Sequence, residues 1–102
     1  MGLLSRKSNS GEGQRLTREV TVLNKLGLHA RPAAMFVKVS NQHKAEIWVE
    51  KDGEEVNGKS IMGLMMLAAG YGSKLLVSAE GADAEKALDA IEDLIQRRFG
   101  EE

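Results

Sequence analysis

The sequence has no cysteine, no long apolar run and no excess of positive charge. Without cysteine the chain cannot form a disulfide, a thiolate nucleophile or a zinc–thiolate site, which fits a reducing cytoplasm. No run of about 18 apolar residues occurs, so we predict no transmembrane segment. Lysine and arginine number 14, aspartate and glutamate 15, and the net charge of -1 argues against nucleic-acid binding.

Length and composition are those of one small globular domain. The chain has 102 residues, of which 42% are hydrophobic and 28% charged. Residues 1–15 are rich in serine, glycine and other residues that bury little, so we predict an N-terminal tail without fixed structure. A role for this tail in partner binding or targeting stays open. Residues 16–100 are predicted to form the single domain.

Hydrophobic periodicity predicts the element order β-α-β-β-α-β-α. The first predicted elements are a strand over Leu16–Leu23 and a helix from Ala30 or Arg31 to about Ser40. A hairpin of strands 45–51 and 54–57 follows, with its turn at Asp52-Gly53. The remaining elements are a helix over 61–69, capped by Ser60 and ended by the stretch 70–72, a strand over 74–80, and a last helix that Asp83 caps and Gly100 ends. Strands that bury one face under helices indicate a two-layer α+β domain with an antiparallel or mixed sheet.

Two of the predicted helices carry an apolar stripe at helical spacing. In the first helix, Ala33, Phe36, Val37 and Ser40 are expected to face the sheet, which leaves Met35 and Val39 off the stripe. In the last helix the stripe consists of Ala84, Ala87, Leu88, Ile91, Leu94 and Ile95. We therefore expect both helices to pack on the same sheet.

The junction before the first helix brings a histidine, a cation and a helix N-terminus together. His29 stands where the extended segment ends, Arg31 follows, and Pro32, the only proline, suits the first helical turn. Backbone N–H groups of Ala30 and Arg31 in that turn favour an anion. The arginine fork suits phosphate oxygens, and a neutral imidazole nitrogen is a nucleophile. The pattern predicts a phosphoryl site, with an ordinary surface histidine as the alternative.

Other ligands for His29 are not apparent in the sequence. No carboxylate partner can be assigned to it, and no second histidine, aspartate or glutamate stands at metal-ligand spacing, so we expect no metal site. His43, at the far end of the same helix, is interpreted as structural or solvated.

Two motifs resemble those of a known family. The stretch Gly27-Leu28-His29-Ala30-Arg31-Pro32-Ala33 is similar to the active-site motif of HPr, the histidine-containing phosphocarrier family of the bacterial phosphotransferase system. The stretch from Gly58 to Leu67, GKSIMGLMML, resembles the regulatory serine motif of that family. The resemblance extends over about Leu16 to Phe99. It implies an open-faced β-sandwich in which a four-stranded antiparallel sheet is covered on one side by three helices.

The resemblance also implies a function. His29 would accept a phosphoryl group on Nδ1 from Enzyme I, which phosphoenolpyruvate charges, and pass it to IIA-type acceptors in sugar uptake, while Arg31 positions the group. Ser60 would be phosphorylated by an HPr kinase/phosphorylase where one exists. Such a protein is a cytoplasmic, monomeric, stoichiometric carrier without a cofactor, and not an independent catalyst.

An apolar surface is expected beside these sites. Met35 lies off the core stripe, and the second helix carries more apolar residues than one short helix can bury, namely Ile61, Met62, Met65 and Met66. Methionine adapts to differing partner surfaces, so these residues are candidates for partner docking, with filling of an aromatic-poor core as the alternative.

Competing interpretations remain at this point. A regulatory paralogue of the same fold, either of the nitrogen-related branch or recognised mainly through Ser60, would act through protein interactions. An unrelated small α+β binding module would require both motifs to be coincidental. The chain also departs from the family, because its N-terminal tail is longer than usual and Ala30 stands where some members have threonine.

Overall fold

The fold is taken from a computed structural model, and the structure describes residues 14–101. The strands are β1 (Arg15–Thr21), β2 (Glu46–Lys51), β3 (Glu54–Asn57) and β4 (Lys74–Glu80), and the helices are α1 (Ala30–Ser40), α2 (Ile61–Met66) and α3 (Ala84–Gln96), followed by a short 3-10 turn over Arg98–Gly100. The predicted order β-α-β-β-α-β-α is confirmed. The predicted tail lies outside the described residues apart from Gln14 and Arg15, and Arg15 opens β1.

The four strands form one antiparallel sheet in the order β1-β4-β2-β3. Strand β4 is central and pairs with β1 on one side and with β2 on the other. The hairpin of β2 and β3 turns at Asp52 and Gly53, both with positive φ, as a tight two-residue turn requires. The open-faced sheet with three helices that the resemblance implied is therefore confirmed.

The core lies between the sheet and the helices. Alternate residues of the central strands, such as Ile47, Val49 and Val77, are buried, whereas Trp48 and Leu76 lie on the opposite face. The whole predicted stripe of α3 is buried. In α1, Ala33, Phe36 and Ser40 are buried as predicted, together with Pro32, while Val37, Met35 and Val39 are half-buried against the core. The predicted core-facing residues of α1 and the residues beside them therefore differ less in burial than predicted.

Helix α2 is shorter than predicted. The expected range was 61–69, but the helix ends at Met66, and Ala68 adopts a left-handed φ of 52°. The helix ends early because of a tertiary contact: the carbonyl of Ala69, which follows Ala68, accepts a hydrogen bond from the Leu28 N–H at 2.8 Å. The chain leaves the helix early to meet the loop that precedes α1.

Asp83 is the N-terminal cap residue of the last helix, as predicted, but its side chain makes no capping hydrogen bond. Asp83 does precede α3, but its carboxylate accepts hydrogen bonds from the backbone N–H groups of Lys44 and Ala45, each at 2.9 Å. The hydrogen bond from Lys44 lowers the pKa of the Asp83 carboxyl. Together with the bond from Ala45 it outweighs burial, which alone would raise that pKa. The carboxylate ties the start of β2 to the start of α3. The last helix also ends at Gln96, before Gly100, because the 3-10 turn follows.

Among residues 14–101, no helix has the length and apolar character needed to cross a membrane.

Candidate functional site at the start of helix α1

The loop before α1 is held against the segment that follows α2. Gly27 has φ of +72°, and a Cβ placed on it would lie 2.4 Å from the carbonyl oxygen of Ala69. Its neighbour Leu28 is buried and donates its N–H to that same oxygen. Only glycine combines this backbone conformation with so close an approach. The loop is therefore fixed by contacts with a distant segment, which sets the direction from which the chain enters α1.

His29 is the N-terminal cap residue of α1, but its side chain does not cap the helix. Its backbone is extended, with φ of -80° and ψ of -171°, and its carbonyl oxygen accepts the N–H of Ala33 at 3.0 Å. The imidazole makes no capping hydrogen bond and is 35% exposed. The N–H groups of Ala30 and Arg31 belong to the first turn, where an α-helix offers no internal acceptor. The imidazole and these two donors thus lie next to one another in sequence at an open helix end.

A carboxylate from the other end of the chain meets this imidazole. Glu101 Oε2 lies 2.9 Å from His29 Nε2 and 3.8 Å from Arg31 Nε, and Glu101 Oε1 accepts a hydrogen bond from Asn24 Nδ2 at 3.0 Å. The Glu101 side chain is only 15% exposed, whereas that of Arg31 is 75% exposed. Within the described residues, Nε2 is the only atom of the His29 ring that makes a hydrogen bond. The other ring nitrogen, Nδ1, makes no hydrogen bond to the described residues.

The surroundings of Glu101 favour its ionised form. Burial opposes ionisation, but hydrogen bonds from Asn24 and His29, together with the charges of His29 and Arg31, outweigh it and lower the pKa of the Glu101 carboxyl. Glu101 is therefore a carboxylate at neutral pH.

An unusual turn delivers Glu101 to the site. Arg98, Phe99 and Gly100 have φ of 57°, 55° and 74°, so three successive residues are left-handed and two of them are not glycine. This conformation costs roughly 1–2 kcal/mol for each non-glycine residue. Buried Phe99 anchors the turn, and Arg98 Nε donates to the Leu23 carbonyl at 3.3 Å. Tertiary contacts hold the backbone in a conformation that its local sequence does not favour.

Asn24 connects the loop to this turn. It is completely buried, and its Nδ2 donates both to the Gly27 carbonyl at 2.7 Å and to Glu101. Its Oδ1 has no hydrogen-bond partner among residues 14–101. The Gly27 carbonyl and the Glu101 carboxylate can only accept hydrogen bonds, so the amide nitrogen of Asn24, and not its oxygen, must face them. Asn24 therefore orients the loop and the carboxylate together.

Ser60 is a true capping residue. Its backbone is extended, and its Oγ accepts the N–H of Gly63 at 2.9 Å. The predicted capping role of Ser60 is thus confirmed. The hydroxyl is half-buried at the start of α2.

Most of the predicted docking residues are exposed on α2. We call Ile61, Met62, Met65 and Met66 the α2 patch; Met62 and Met66 are 74% and 67% exposed, and the other two are about 40% exposed. Met35 differs, since it is half-buried and packs against the core. A shallow depression next to the patch is lined by Leu26, Leu28, His29, Ala68, Ala69 and Gly70. The segment that follows the α2 patch therefore reaches His29.

The interpretation of His43 agrees with its place in the structure. Its Nδ1 lies 3.1 Å from the carbonyl oxygen of Val39, one turn earlier at the end of α1. No group of three His, Asp or Glu side chains within residues 14–101 comes together as metal ligands.

Sequence reasoning missed Glu101 and Asn24. Glu101 is distant in sequence from His29, and its position depends on two left-handed residues, Arg98 and Phe99, that are not glycine. Asn24 offered a weak signal, because a buried asparagine at the end of a strand implies a partner for its amide. Neither contact could be assigned without the fold.

Comparison with known proteins agrees with the two motifs. The family model for the HPr component phosphorylation site of the phosphotransferase system matches residues 16–97. The phosphocarrier protein HPr of Neisseria meningitidis is 49% identical over 86 residues, which are 84% of this chain and 97% of that protein. The match thus covers nearly the whole relative.

Solved structures give the same result. HPr from Thermoanaerobacter tengcongensis has a TM-score of 0.82 at 49% identity, over 85% of this chain and 98% of that one. Crh of Bacillus subtilis, a catabolite repression protein whose crystal structure is a swapped dimer, has a TM-score of 0.66 at 45% identity, over 76% of this chain and 90% of that one. The chain therefore belongs to the HPr family of phosphocarrier proteins of the phosphotransferase system.

Proposed function

We propose that this protein carries a phosphoryl group on Nδ1 of His29, between Enzyme I and IIA-type acceptors. The proposal is supported by an imidazole at the N-terminal cap of α1 whose Nε2 contacts Glu101, while its Nδ1 makes no hydrogen bond to the described residues. In the forward step the Nδ1 lone pair forms a bond to phosphorus as the bond between phosphorus and the donor atom of Enzyme I breaks. No proton has to leave Nδ1 for this to happen.

Three donor groups near His29 would form hydrogen bonds to the phosphoryl oxygens. The backbone N–H groups of Ala30 and Arg31 carry partial positive charge at the helix end. The Arg31 guanidinium, 75% exposed and 3.8 Å from Glu101 at its Nε, can turn from the carboxylate to the phosphoryl oxygens. The site is open, so the bound group stays accessible to the next acceptor, as a carrier requires.

The partners dock on the α2 patch. The patch carries exposed methionines, and the segment that directly follows it lines the same depression as His29, so a partner seated on the patch would bring its own reacting group close to His29. Met35 contributes less than the α2 patch, because it is half-buried in the core. The protein acts as a cytoplasmic monomer, which leaves its site free for successive partners; light scattering after size-exclusion chromatography tests this, and a stable dimer would contradict it.

Ser60 is the regulatory phosphorylation site. It adjoins Ile61 and Met62 of the α2 patch, and a phosphate there adds about two negative charges. These charges would stand in the apolar surface that partners must cover, so phosphorylation of Ser60 by an HPr kinase/phosphorylase slows transfer from Enzyme I. Incubation of the pure protein with that kinase and ATP, followed by site mapping, tests this role, and an unmodified Ser60 would contradict it.

The direct test of the carrier function is transfer from Enzyme I with labelled phosphoenolpyruvate. The wild type is expected to give an acid-labile, base-stable phosphoprotein. His29→Ala should lose the label completely, whereas His43→Ala, which removes the only other histidine, should keep it. An unlabelled wild type, or label retained in His29→Ala, would refute the proposal.

A regulatory paralogue is the second candidate, and the similarity to Crh favours it. A paralogue that is recognised only through Ser60 needs no nucleophile at position 29, so the His29 arrangement counts against that form. Acceptor assays separate the two: transfer to sugar-specific IIA domains supports the carrier, while transfer only to a regulatory IIA protein supports the nitrogen-related branch. If binding to partners depends only on phosphorylation of Ser60, the result supports a paralogue that is recognised through that serine.

A further inference from the structure

One face of the sheet has no helix over it within residues 14–101, because the three helices pack against the other face. On this free face the strand register places Trp48 of β2 diagonally across from Leu76 of β4, close enough for a large side chain to make contact. Leu76 is 39% exposed and Trp48 is half-buried. We call the surface around these two residues the open face. Its centre is apolar, although the solvent side of an antiparallel sheet is usually polar.

The open face also carries an excess of negative charge. By the strand register, its glutamates are Glu19, Glu46, Glu50, Glu55 and Glu80, and its cations are Arg15 and Lys74. Arg15 forms an ion pair with Glu55, and the other glutamates outnumber Lys74. An apolar centre surrounded by carboxylates suits an occupant that has apolar side chains next to cations.

Arg15, the first residue of β1, already makes contacts of this kind. Its guanidinium carbon lies 4.0 Å from the centroid of the Trp48 ring, a cation–π contact, and the same side chain pairs with Glu55 on β3. The side chain therefore extends from β1 at one edge of the sheet toward β3 at the other. The chain enters the sheet at the border of the open face, so the residues before it start from that border.

Residues 1–13, which precede the described part of the chain, have a sequence that is complementary to the open face. They include the apolar pair Leu3-Leu4, the cations Arg6 and Lys7, and a single acidic residue, Glu12. The chain between the apolar pair and β1 can extend over roughly 35 Å, whereas four strands make a sheet roughly 15 Å wide. A short linker gives an effective concentration of about a millimolar. A contact that is weak between separate molecules can therefore form within one chain.

We propose that residues 3–7 dock on the open face of the same chain. Leu3 and Leu4 pack against Trp48 and Leu76, and the two cations that follow lie near the glutamates of this face. Because α1 and α2 pack on the other side of the sheet, the docked segment leaves the α2 patch uncovered. The segment thus shields the apolar centre of the open face without competing for the surface at which partners are proposed to bind.

A spin label on the full chain tests where residues 3–7 lie. The chain has no cysteine, so Ser5→Cys creates a single attachment site between the apolar pair and the cations. We expect NMR signal broadening to be strongest at the Trp48 indole and the Leu76 amide, and weakest at Met62 of the α2 patch. Broadening that is strongest at Met62, or that shows no preference for the open face, would overturn the proposal.

A mixed sample distinguishes docking within one chain from docking between two copies. It contains spin-labelled protein without nitrogen-15 and nitrogen-15 protein without a spin label. We expect no selective broadening in this mixture. Broadening at Trp48 and Leu76 as strong as in the single labelled chain would assign the occupant to a second copy and overturn docking within the chain.

Variants within residues 1–13 separate the apolar contribution from the charges. In the spin-labelled chain, Leu3→Ser combined with Leu4→Ser should restore the Trp48 and Leu76 signals. Arg6→Ser combined with Lys7→Ser should restore them in part. Raising the salt from about 0.1 M to 1 M shortens the Debye length from about 10 Å to about 3 Å and should act like this charge variant. Ser8→Ala combined with Ser10→Ala is the matched control and should leave the broadening unchanged.

Two further measurements use the protein without a spin label. Trp48 is the only tryptophan, so its fluorescence reports on the open face alone. The leucine variant should make Trp48 more accessible to acrylamide and should keep the wild-type rate of transfer from Enzyme I. Unchanged quenching would show that the leucines do not cover Trp48, and slower transfer would contradict docking on the side away from the α2 patch. Both outcomes would overturn this inference and leave the proposed carrier function intact.

Discussion

Helices α1 and α2 each begin at a residue proposed to take a phosphate, but the two residues are held in opposite ways. Ser60 turns its side chain into its own helix, where Oγ accepts the N–H of Gly63. His29 makes no such bond and meets Glu101 from the other end of the chain instead. A side chain used for local capping stabilises the fold, whereas one freed from capping can react. The Ser60 side chain is thus part of its own helix end, whereas the His29 ring contacts a distant segment of the chain.

The largest stability effect is expected at Gly27, which places His29. Gly27→Ala combines a left-handed φ with a contact of 2.4 Å to the Ala69 carbonyl oxygen, both of which oppose a side chain. We expect a loss of about 3 kcal/mol in the free energy of unfolding. Chemical denaturation measures this value.

Gly53 offers a matched control for Gly27. It has φ of +85°, but a Cβ placed on it would meet nothing within 4 Å, so only the backbone strain applies. Gly53→Ala should cost about 1 kcal/mol. Equal losses for the two variants would show that the contact with Ala69 does not constrain the loop.

The next effect concerns the cation beside His29. Arg31→Ala should reduce the rate of transfer from Enzyme I by about 10- to 100-fold, because a charge-assisted hydrogen bond to phosphate is lost. Stability should change little, since the side chain is 75% exposed. Arg31→Lys should be intermediate, because lysine keeps the charge and lacks the planar fork. A full rate in Arg31→Ala would remove Arg31 from the site; the measurement is a rapid-quench time course.

Substitution of Ser60 by alanine should have the opposite effect to that of Arg31, lowering stability while leaving the transfer rate nearly unchanged. Ser60→Ala loses the cap and should destabilise the protein by about 1 kcal/mol, while transfer from Enzyme I stays near the wild-type rate. Ser60→Asp keeps a capping oxygen and should restore most of the stability, but its charge within the α2 patch should slow transfer. Thermal unfolding and the same transfer assay check both effects. A Ser60→Asp variant as fast as wild type would argue against regulation through charge.

The smallest effect is a pH dependence from Glu101. Its pKa in the folded protein lies below the ordinary value of 4.5, so the unfolded chain binds the proton more tightly. The stabilisation is therefore fully present above that value and is lost as the pH falls through the folded pKa. Wild type should be more stable than Glu101→Gln at neutral pH, and the difference should shrink on acidification below the ordinary value of 4.5. A difference that grows with acid would contradict the contacts assigned to Glu101.

Local signals were enough to predict most of the fold. Asp52-Gly53 predicted the hairpin, Pro32 the start of α1, and the stripe of α3 its buried face, because each depends on a few neighbouring residues. Asp83 shows the limit of this reasoning. The sequence predicts a capping carboxylate, but two backbone donors from a distant segment bind it instead.

The candidate site was predictable only in part. The proposed roles of His29 and Arg31 follow from one short motif beside a helix start, so the sequence alone could point to them. The carboxylate partner could not be predicted, because Arg98 and Phe99 adopt left-handed backbones that only buried contacts can hold. Tertiary structure supplies the carboxylate that contacts the His29 ring.

The most direct test of the contrast between the two helix starts is a phosphorylation map. The protein is incubated with Enzyme I and phosphoenolpyruvate, and the site is located by mass spectrometry at neutral pH, with the ring nitrogen identified by phosphorus–nitrogen NMR. We predict one phosphoryl group, on Nδ1 of His29, and none on Ser60. Phosphate on Nε2, on another residue, or on no residue at all would contradict this prediction.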